Sequence, residues 1–177
     1  MINHSLTTER LLLRPFAMED AEAVFRMSRE ETLKQRMPDQ VYDSMEEAVK
    51  VAAFLKDKAE KGEWPLVLGV AIKETGELIG HVGLSHIEEG VEIGYAVAMA
   101  QQGKGYAAEA VAAFSGWAAS HFSLAGIWAI LMADNLPSRR VLEKAGYVYQ
   151  WEKKKQAFVG EHLCRCYLYS GEVQPCR

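Results

Sequence analysis

Residues 92–107 read Glu-Ile-Gly-Tyr-Ala-Val-Ala-Met-Ala-Gln-Gln-Gly-Lys-Gly-Tyr-Ala, and they constrain the fold more than any other stretch. Within this run a strand must give way to a glycine-bearing turn and then to a helix. Gly103 and Gly105 can adopt backbone angles closed to other residues and let a ligand approach the main chain. The helix expected from Tyr106 offers unpaired N–H groups and a positive dipole end, and Lys104 adds a cation. The segment reads as a cradle for a pyrophosphate. A glycine-rich turn by itself more often only reverses the chain, so its flanks must decide.

The first expected strand runs from Thr8 to Arg14 and stops at Pro15. From Met18, the spacing of Ala21, Val24, Phe25 and Ser28 predicts a helix. Residues 32–43, with Met37-Pro38-Asp39 and Tyr42, break the pattern and read as a loop. Ser44 followed by Glu47 forms a capping box for a helix that ends at Gly62 and buries Val49, Ala52, Ala53 and Leu55. The period then changes to two. Strands are expected over 64–72, 78–86 and 91–97, joined by turns short enough to require antiparallel neighbours.

After the turn, Ala107, Val111, Phe114, Ala118 and Phe122 make one helical face. Ile127 to Met132 is apolar on both faces and reads as a buried central strand, parallel to the strand before the helix. Asn135 can cap a further helix from Leu136, with Pro137 in its first turn and Gly146 closing it. A hairpin over 147–153 and 163–170 and a loose tail over 171–177 complete the chain.

The 177 residues, 49% hydrophobic, suffice for one sizeable core, so a single domain over 1–177 is expected, with its core at 6–170. A net charge of -4 with interspersed signs argues against a nucleic-acid surface or a polybasic membrane face. The basic run Lys153-Lys154-Lys155 reads as a solvated turn or strand end. A polar start and the lack of a long apolar run point to a cytoplasmic protein. Cys164 and Cys166 fall on one face of a strand, poorly placed to bridge each other, and read as small apolar residues without a metal or redox role. His81, His86 and His121 have no partner at a recognisable triad spacing and read as structural.

The turn resembles the acyl-CoA motif of the GNAT superfamily of N-acetyltransferases, Gln/Arg-x-x-Gly-x-Gly/Ala, with Gln102, Gly105 and Ala107 at its positions. Within that superfamily the chain looks most like the RimJ/RimL type, the ribosomal-protein N-terminal acetyltransferases. Leu6-Thr7-Thr8-Glu9-Arg10-Leu11-Leu12-Leu13-Arg14, Glu92-Ile93-Gly94-Tyr95, and Asn135-Leu136-Pro137-Ser138 through Lys144-Ala145-Gly146-Tyr147 carry that likeness in order. The resemblance implies an α/β fold with a mixed, mostly antiparallel sheet and helices on both faces, and acetyl-CoA between two splayed central strands. It implies a loop of Gln102, Gly103, Lys104, Gly105, Tyr106 and Ala107 on the pyrophosphate, and backbone of Tyr95, Ala96 and Val97 on the pantetheine arm. Asn135 is implied as a further contact to that arm, and Ser138 as both a contact and a donor to the leaving sulfur. Both residues are also ordinary in a helix first turn for capping alone. Tyr147 matches an aromatic position whose job is packing.

Acetyl transfer from a thioester to an amine needs a neutral amine, donors for the developing oxyanion and a proton for the leaving thiolate. Glu92, five residues before Val97, is the candidate general base through a water; the competing reading makes it surface charge beside Glu88 and Glu89. No metal and no covalent enzyme intermediate are required, because the thioester is already activated. A protein α-amine is the first expected acceptor, since about a third of it is neutral at pH ~7.5, against about 0.1% of a lysine. A small-molecule amine comes second, and a non-catalytic acyl-CoA-binding module is the rival from another class. Relatives are frequently dimeric, which also admits a homodimer. By the same resemblance Trp64, Tyr42, Phe158 and His162 fall in acceptor-site loops. RimJ/RimL-type chains commonly carry an aspartate in the last strand. Here Gly160-Glu161-His162-Leu163-Cys164-Arg165-Cys166-Tyr167 has none, which weakens ribosomal-protein specificity.

Overall fold

A computed structural model describes residues 4–157 and 160–171. The strands are β1 (Leu6–Thr7), β2 (Leu11–Arg14), β3 (Leu66–Ile72), β4 (Leu78–Ile87), β5 (Gly90–Val97), β6 (Ile127–Met132), β7 (Val148–Ala157) and β8 (Gly160–Tyr169). The helices are α1 (Ala21–Ser28), α2 (Glu31–Arg36), α3 (Met45–Lys61), α4 (Tyr106–His121) and α5 (Leu136–Lys144). All strands join one sheet in the order β1-β2-β3-β4-β5-β6-β8-β7. Among the described residues every neighbouring pair is antiparallel except β5 and β6, the pair joined through α4.

Alternation along β3, β4 and β5 turns Leu66, Leu68, Val70, Val82, Leu84 and Ile93 to one face, where they close on Val111, Phe114 and Ala118 of α4. A smaller cluster of Phe16, Met27 and Leu78 lies with Val24 and Leu55, so α1 and α3 cover the opposite face. Phe114 is fully buried, which favours the fold by about 2–3 kcal/mol through its apolar area alone.

The predicted architecture is the observed one, with local differences. The first expected strand starts at Leu11 rather than Thr8, because the Thr8 hydroxyl accepts the Leu11 N–H at 2.9 Å in a turn that folds Leu6–Thr7 back on Leu12 and Leu13. Residues 32–43 are not a plain loop, because α2 and a 3₁₀ turn at Pro38–Gln40 lie there. Neither buries a side chain, so no apolar stripe announced them. The Ser44 hydroxyl takes the Glu47 N–H at 3.2 Å, while the Glu47 carboxylate reaches one residue further back than expected, to Asp43 N–H at 2.8 Å. α3 buries Ala48, Ala52 and Ala59 and leaves Ala53 exposed. β3 starts at Leu66 rather than Trp64, and both strands of the last hairpin are longer than expected. Lys153-Lys154-Lys155 therefore lies inside a strand, not at its end. Residues 172–177 of the expected tail fall outside the described residues.

Candidate active site

The site opens at the one parallel seam of the sheet. β5 and β6 are paired at Glu92 and Trp128 and nowhere beyond, whereas β5 stays zipped to β4 from Gly90–Ile87 through to Val97–Gly80. Past Glu92 the two central strands diverge, and the β6-facing backbone of Tyr95 is left for another partner, whereas Ala96, next in the alternation, turns its backbone to His81 of β4. At Val97 the carbonyl is already engaged by the Gln102 side-chain amide at 3.0 Å, which folds the loop onto the strand end.

The loop turns through a 3₁₀ segment at Met99–Gln101, then through Gly103 and Gly105 with φ of 76° and 84°. A side chain at those angles would be strained. Gly105 stands at the N-cap of α4 and supplies no side-chain cap. Within the described residues no hydrogen bond takes up the N–H groups from Gly103 to Ala108, a row of donors ending at the positive end of a long helix. A pyrophosphate fits that donor set. Lys104 Nζ is drawn aside to Gln101 Oε1 at 2.9 Å, Tyr106 packs against the main core, and Ala107 is half-buried.

Period two sends Ile93 and Tyr95 toward α4 and α5, and Glu92, Gly94 and Ala96 to the other face. Glu92 is half-buried at the mouth of the opening. Burial pushes its carboxyl above the ordinary range. The charges of Lys155 and Lys153 pull the other way, as does the Ile130 main chain across the gap, and Glu89 adds to the rise. Lys153 pairs with Glu89. Glu92 is half-buried here, whereas Glu88 and Glu89 are exposed.

On the opposite side of the opening, the Tyr95 phenol and the Ser138 hydroxyl lie 2.6 Å apart, and the phenol also donates to the Ser138 carbonyl at 3.2 Å. Burial pushes Tyr95 up to about 12, against the effect of the Ser138 hydrogen bond, so the phenol stays protonated at neutral pH. Asn135 caps α5, its Oδ1 accepting the Ser138 N–H at 3.3 Å, so its capping role is realised. Sequence reasoning used Tyr95 for its backbone alone and missed its hydroxyl. Tyr147 is buried, with its hydroxyl 2.8 Å from that of Ser115.

His86 packs on Trp64 with ring centroids 4.6 Å apart, and His121 stacks on Trp117 at 5.0 Å, both in structural surroundings. Tyr42 is half-buried against α1, its N–H 3.4 Å from Ser28 Oγ. His162 lies opposite Lys155 in the last hairpin, and Phe158 falls outside the described residues. Cys164 and Cys166 are free and buried, and burial pushes both thiols up.

His81 is different. It shares a sheet row with Gly69 and Ala96, on the face that Glu92 occupies, and burial lowers it to about 4. A folded-state pKa below the unfolded value of about 6.5 means that the unfolded chain binds the extra proton first. Its stabilising contribution is complete above pH ~6.5 and is lost as pH falls through 4. His81→Gln is expected to flatten the dependence of unfolding free energy on pH by up to about 1.4 kcal/mol per pH unit across that window. Urea titrations at several pH values measure this, and an unchanged slope counts against the assignment.

The family model described as an acetyltransferase (GNAT) domain matches residues 10–148. YnaD, an uncharacterised N-acetyltransferase of Bacillus subtilis, is 32% identical over 143 residues, covering 80% of this chain and 81% of the relative. The crystal structure of a GNAT-family acetyltransferase from Bacillus anthracis superposes with a TM-score of 0.81 at 25% identity, over 96% of this chain and 99% of that one. The microcin C7 self-immunity acetyltransferase MccE, crystallised with acetyl-CoA and AMP, shares the fold with a TM-score of 0.77 at 17% identity, over 92% of this chain and 93% of that one. The matched span takes in the parting of β5 from β6, the glycine loop and the α5 cap together, and on that ground the chain belongs to the GNAT family and is an N-acetyltransferase.

Proposed function

We propose that the protein moves the acetyl group of acetyl-CoA to a protein N-terminal α-amine by direct attack in a ternary complex. The observation that carries this reading is the position of Glu92, half-buried where β5 leaves β6, with the Tyr95–Ser138 hydroxyl pair on the other side of the same strand. The amine nitrogen forms a bond to the thioester carbonyl carbon while its proton passes to Glu92 through a water. The carbon–sulfur bond then breaks, and the departing thiolate is stabilised by a hydrogen bond from Ser138, which Tyr95 holds in place, and takes its proton from water while Glu92 returns its own to solvent. The open amides of the 103–108 turn suit the diphosphate, and the unpaired edge of β5 suits the pantetheine arm. A cosubstrate of this kind is bound by the acetyl-CoA complex of MccE, which shares the fold.

A carboxylate whose pKa is raised by burial removes a proton best from an amine that is already partly neutral, which favours an α-amine over a lysine. The RimJ/RimL-like stretches support the same acceptor. The missing aspartate in 160–167 favours a second reading, a small-molecule amine acceptor. We read the protein as a cytoplasmic single domain; among the described residues no helix is long and apolar enough to cross a membrane.

Release of free CoA from acetyl-CoA, measured with two lysine-containing peptide pools that differ only in blocked α-amines, tests the acceptor. Release with free termini alone is the expected result. Release with neither pool, acetyl-CoA binding being intact, moves the acceptor to small amines or leaves a binding module without turnover.

A further inference from the structure

The turn between β1 and β2 reaches across to the cofactor loop through Arg10. Its Nη1 donates to the Lys104 carbonyl at 2.9 Å, and its Nε donates to Glu109 Oε2 at 2.7 Å. The Arg10 backbone N–H and the Thr8 hydroxyl both donate to the other Glu109 oxygen, at 2.9 and 2.6 Å. The guanidinium lies 4.5 Å from the centre of the Tyr106 ring, and a Cβ built on Gly105 would stand 3.3 Å from Nη2. One side chain thus touches Lys104, Tyr106 and Glu109 and leaves no room to spare at Gly105.

This arrangement has two physical effects on the loop. The Lys104–Gly105 peptide is trans, so its carbonyl and its N–H point in opposite directions. Holding the Lys104 carbonyl toward β2 turns the Gly105 N–H away from β2. That donor lies within the row of open amides. The second effect is electrostatic. Glu109 stands in the first turn of α4, where a bare carboxylate would repel a diphosphate. Burial opposes its ionisation, yet the hydrogen bonds from Thr8 and Arg10 outweigh that and hold it below the ordinary carboxylate range. The guanidinium neutralises that charge, and its planar fork meets the carbonyl and the carboxylate together, which a lysine cannot reproduce.

We propose that Arg10, locked by Glu109 and Thr8, is a positioning residue for the diphosphate of acetyl-CoA, fixing the Lys104–Gly105 peptide in its donor orientation. This rests on the reading that the 103–108 turn receives the diphosphate. It adds that the turn is incomplete without a side chain from the far end of the sequence.

The test uses the full chain and two probes, CoA and pantetheine, which share the arm, CoA adding the diphosphate and the 3′-phosphoadenosine beyond it. Calorimetric titration of the wild type should show much tighter binding of CoA. Arg10→Met should weaken CoA about tenfold, the loss expected for one charge-assisted hydrogen bond, and leave pantetheine unchanged. In turnover, KM for acetyl-CoA should rise by a similar factor with kcat and the amine KM within about twofold, and Arg10→Lys should recover part of the loss. Unchanged CoA affinity in Arg10→Met overturns the proposal, and so does an equal loss for both probes. If that variant does not fold, Glu109→Gln replaces it, and an unaltered CoA-to-pantetheine ratio there overturns the proposal equally. A wild type that does not distinguish the probes removes the diphosphate reading itself, a separate failure.

Discussion

Glu92→Gln is expected to lower kcat for amine acetylation by about 100-fold or more, the usual scale for loss of a general base, while acetyl-CoA affinity stays within about twofold. The substitution keeps the size of the side chain and its place beside the Ile130 main chain, so the opening between β5 and β6 should persist. The pH dependence separates this role from simple packing. Because burial pushes the Glu92 carboxyl above the ordinary range, despite the opposing charges of Lys155 and Lys153, the wild-type kcat/KM should fall as pH drops through that raised pKa, where the base becomes protonated. The variant should lack that acidic limb and follow the deprotonation of the amine alone, gaining rate as pH rises. Steady-state rates from pH 5 to 9 with one α-amine peptide, on the scale of about a hundredfold change, decide the matter. A variant with wild-type kcat and an intact acidic limb would remove Glu92 from the chemistry and return it to the role of surface charge.

The fold could be read from the sequence where local chemistry punctuates the chain. Ser44 and Gly62 bracket α3, Gly105 starts α4 and Asn135 starts α5 because each meets a backbone need within a few residues of itself. The change to period two marked β3 to β5 for the same reason. α2 escaped notice because tertiary polar contacts hold it in place. Arg36 pairs with Asp134 at 2.8 Å, and Glu30 just before it accepts the Met99 N–H at 2.9 Å. The polar half of β7 escaped too, since Lys153 to Gln156 are placed by backbone pairing with Glu161 to Cys164 and carry no apolar alternation.

The candidate site divides along the same line. Glu92, the glycine loop, Asn135 and Ser138 stand out as residue types in a sequential pattern. The Tyr95–Ser138 hydroxyl pair and the grip of Arg10 on Lys104 and Glu109 join segments far apart in the chain. No spacing rule reaches across those distances.

The second large effect is expected at Gly80, and a matched substitution at Gly94 shows why. Gly80 lies on β4 opposite Val97, and a Cβ there would fall 2.2 Å from the Ala96 carbonyl oxygen and 3.1 Å from Val97 Cα. Both obstacles are backbone, so no rotamer change can relieve them. Gly80→Ala must therefore push the end of β5 away from β4, at the residues whose free edge faces the opening and whose last carbonyl anchors Gln102. A loss of about 3 kcal/mol, the upper end for overpacking, corresponds to roughly 6–12 °C in Tm for a chain of this size. Weaker acetyl-CoA binding should accompany it. Gly94→Ala adds the same methyl on the paired strand, where a Cβ has nothing within 4 Å, and should change stability by less than about 0.5 kcal/mol. Gly94 shares the face of Glu92, so a methyl there should raise the amine KM and leave acetyl-CoA binding alone. Thermal melts with separate titrations of the two substrates read both variants. Equal stability losses would mean that glycine is used at these positions for backbone flexibility, whereas the contrast predicted here follows only from the close approach of β4 to the end of β5.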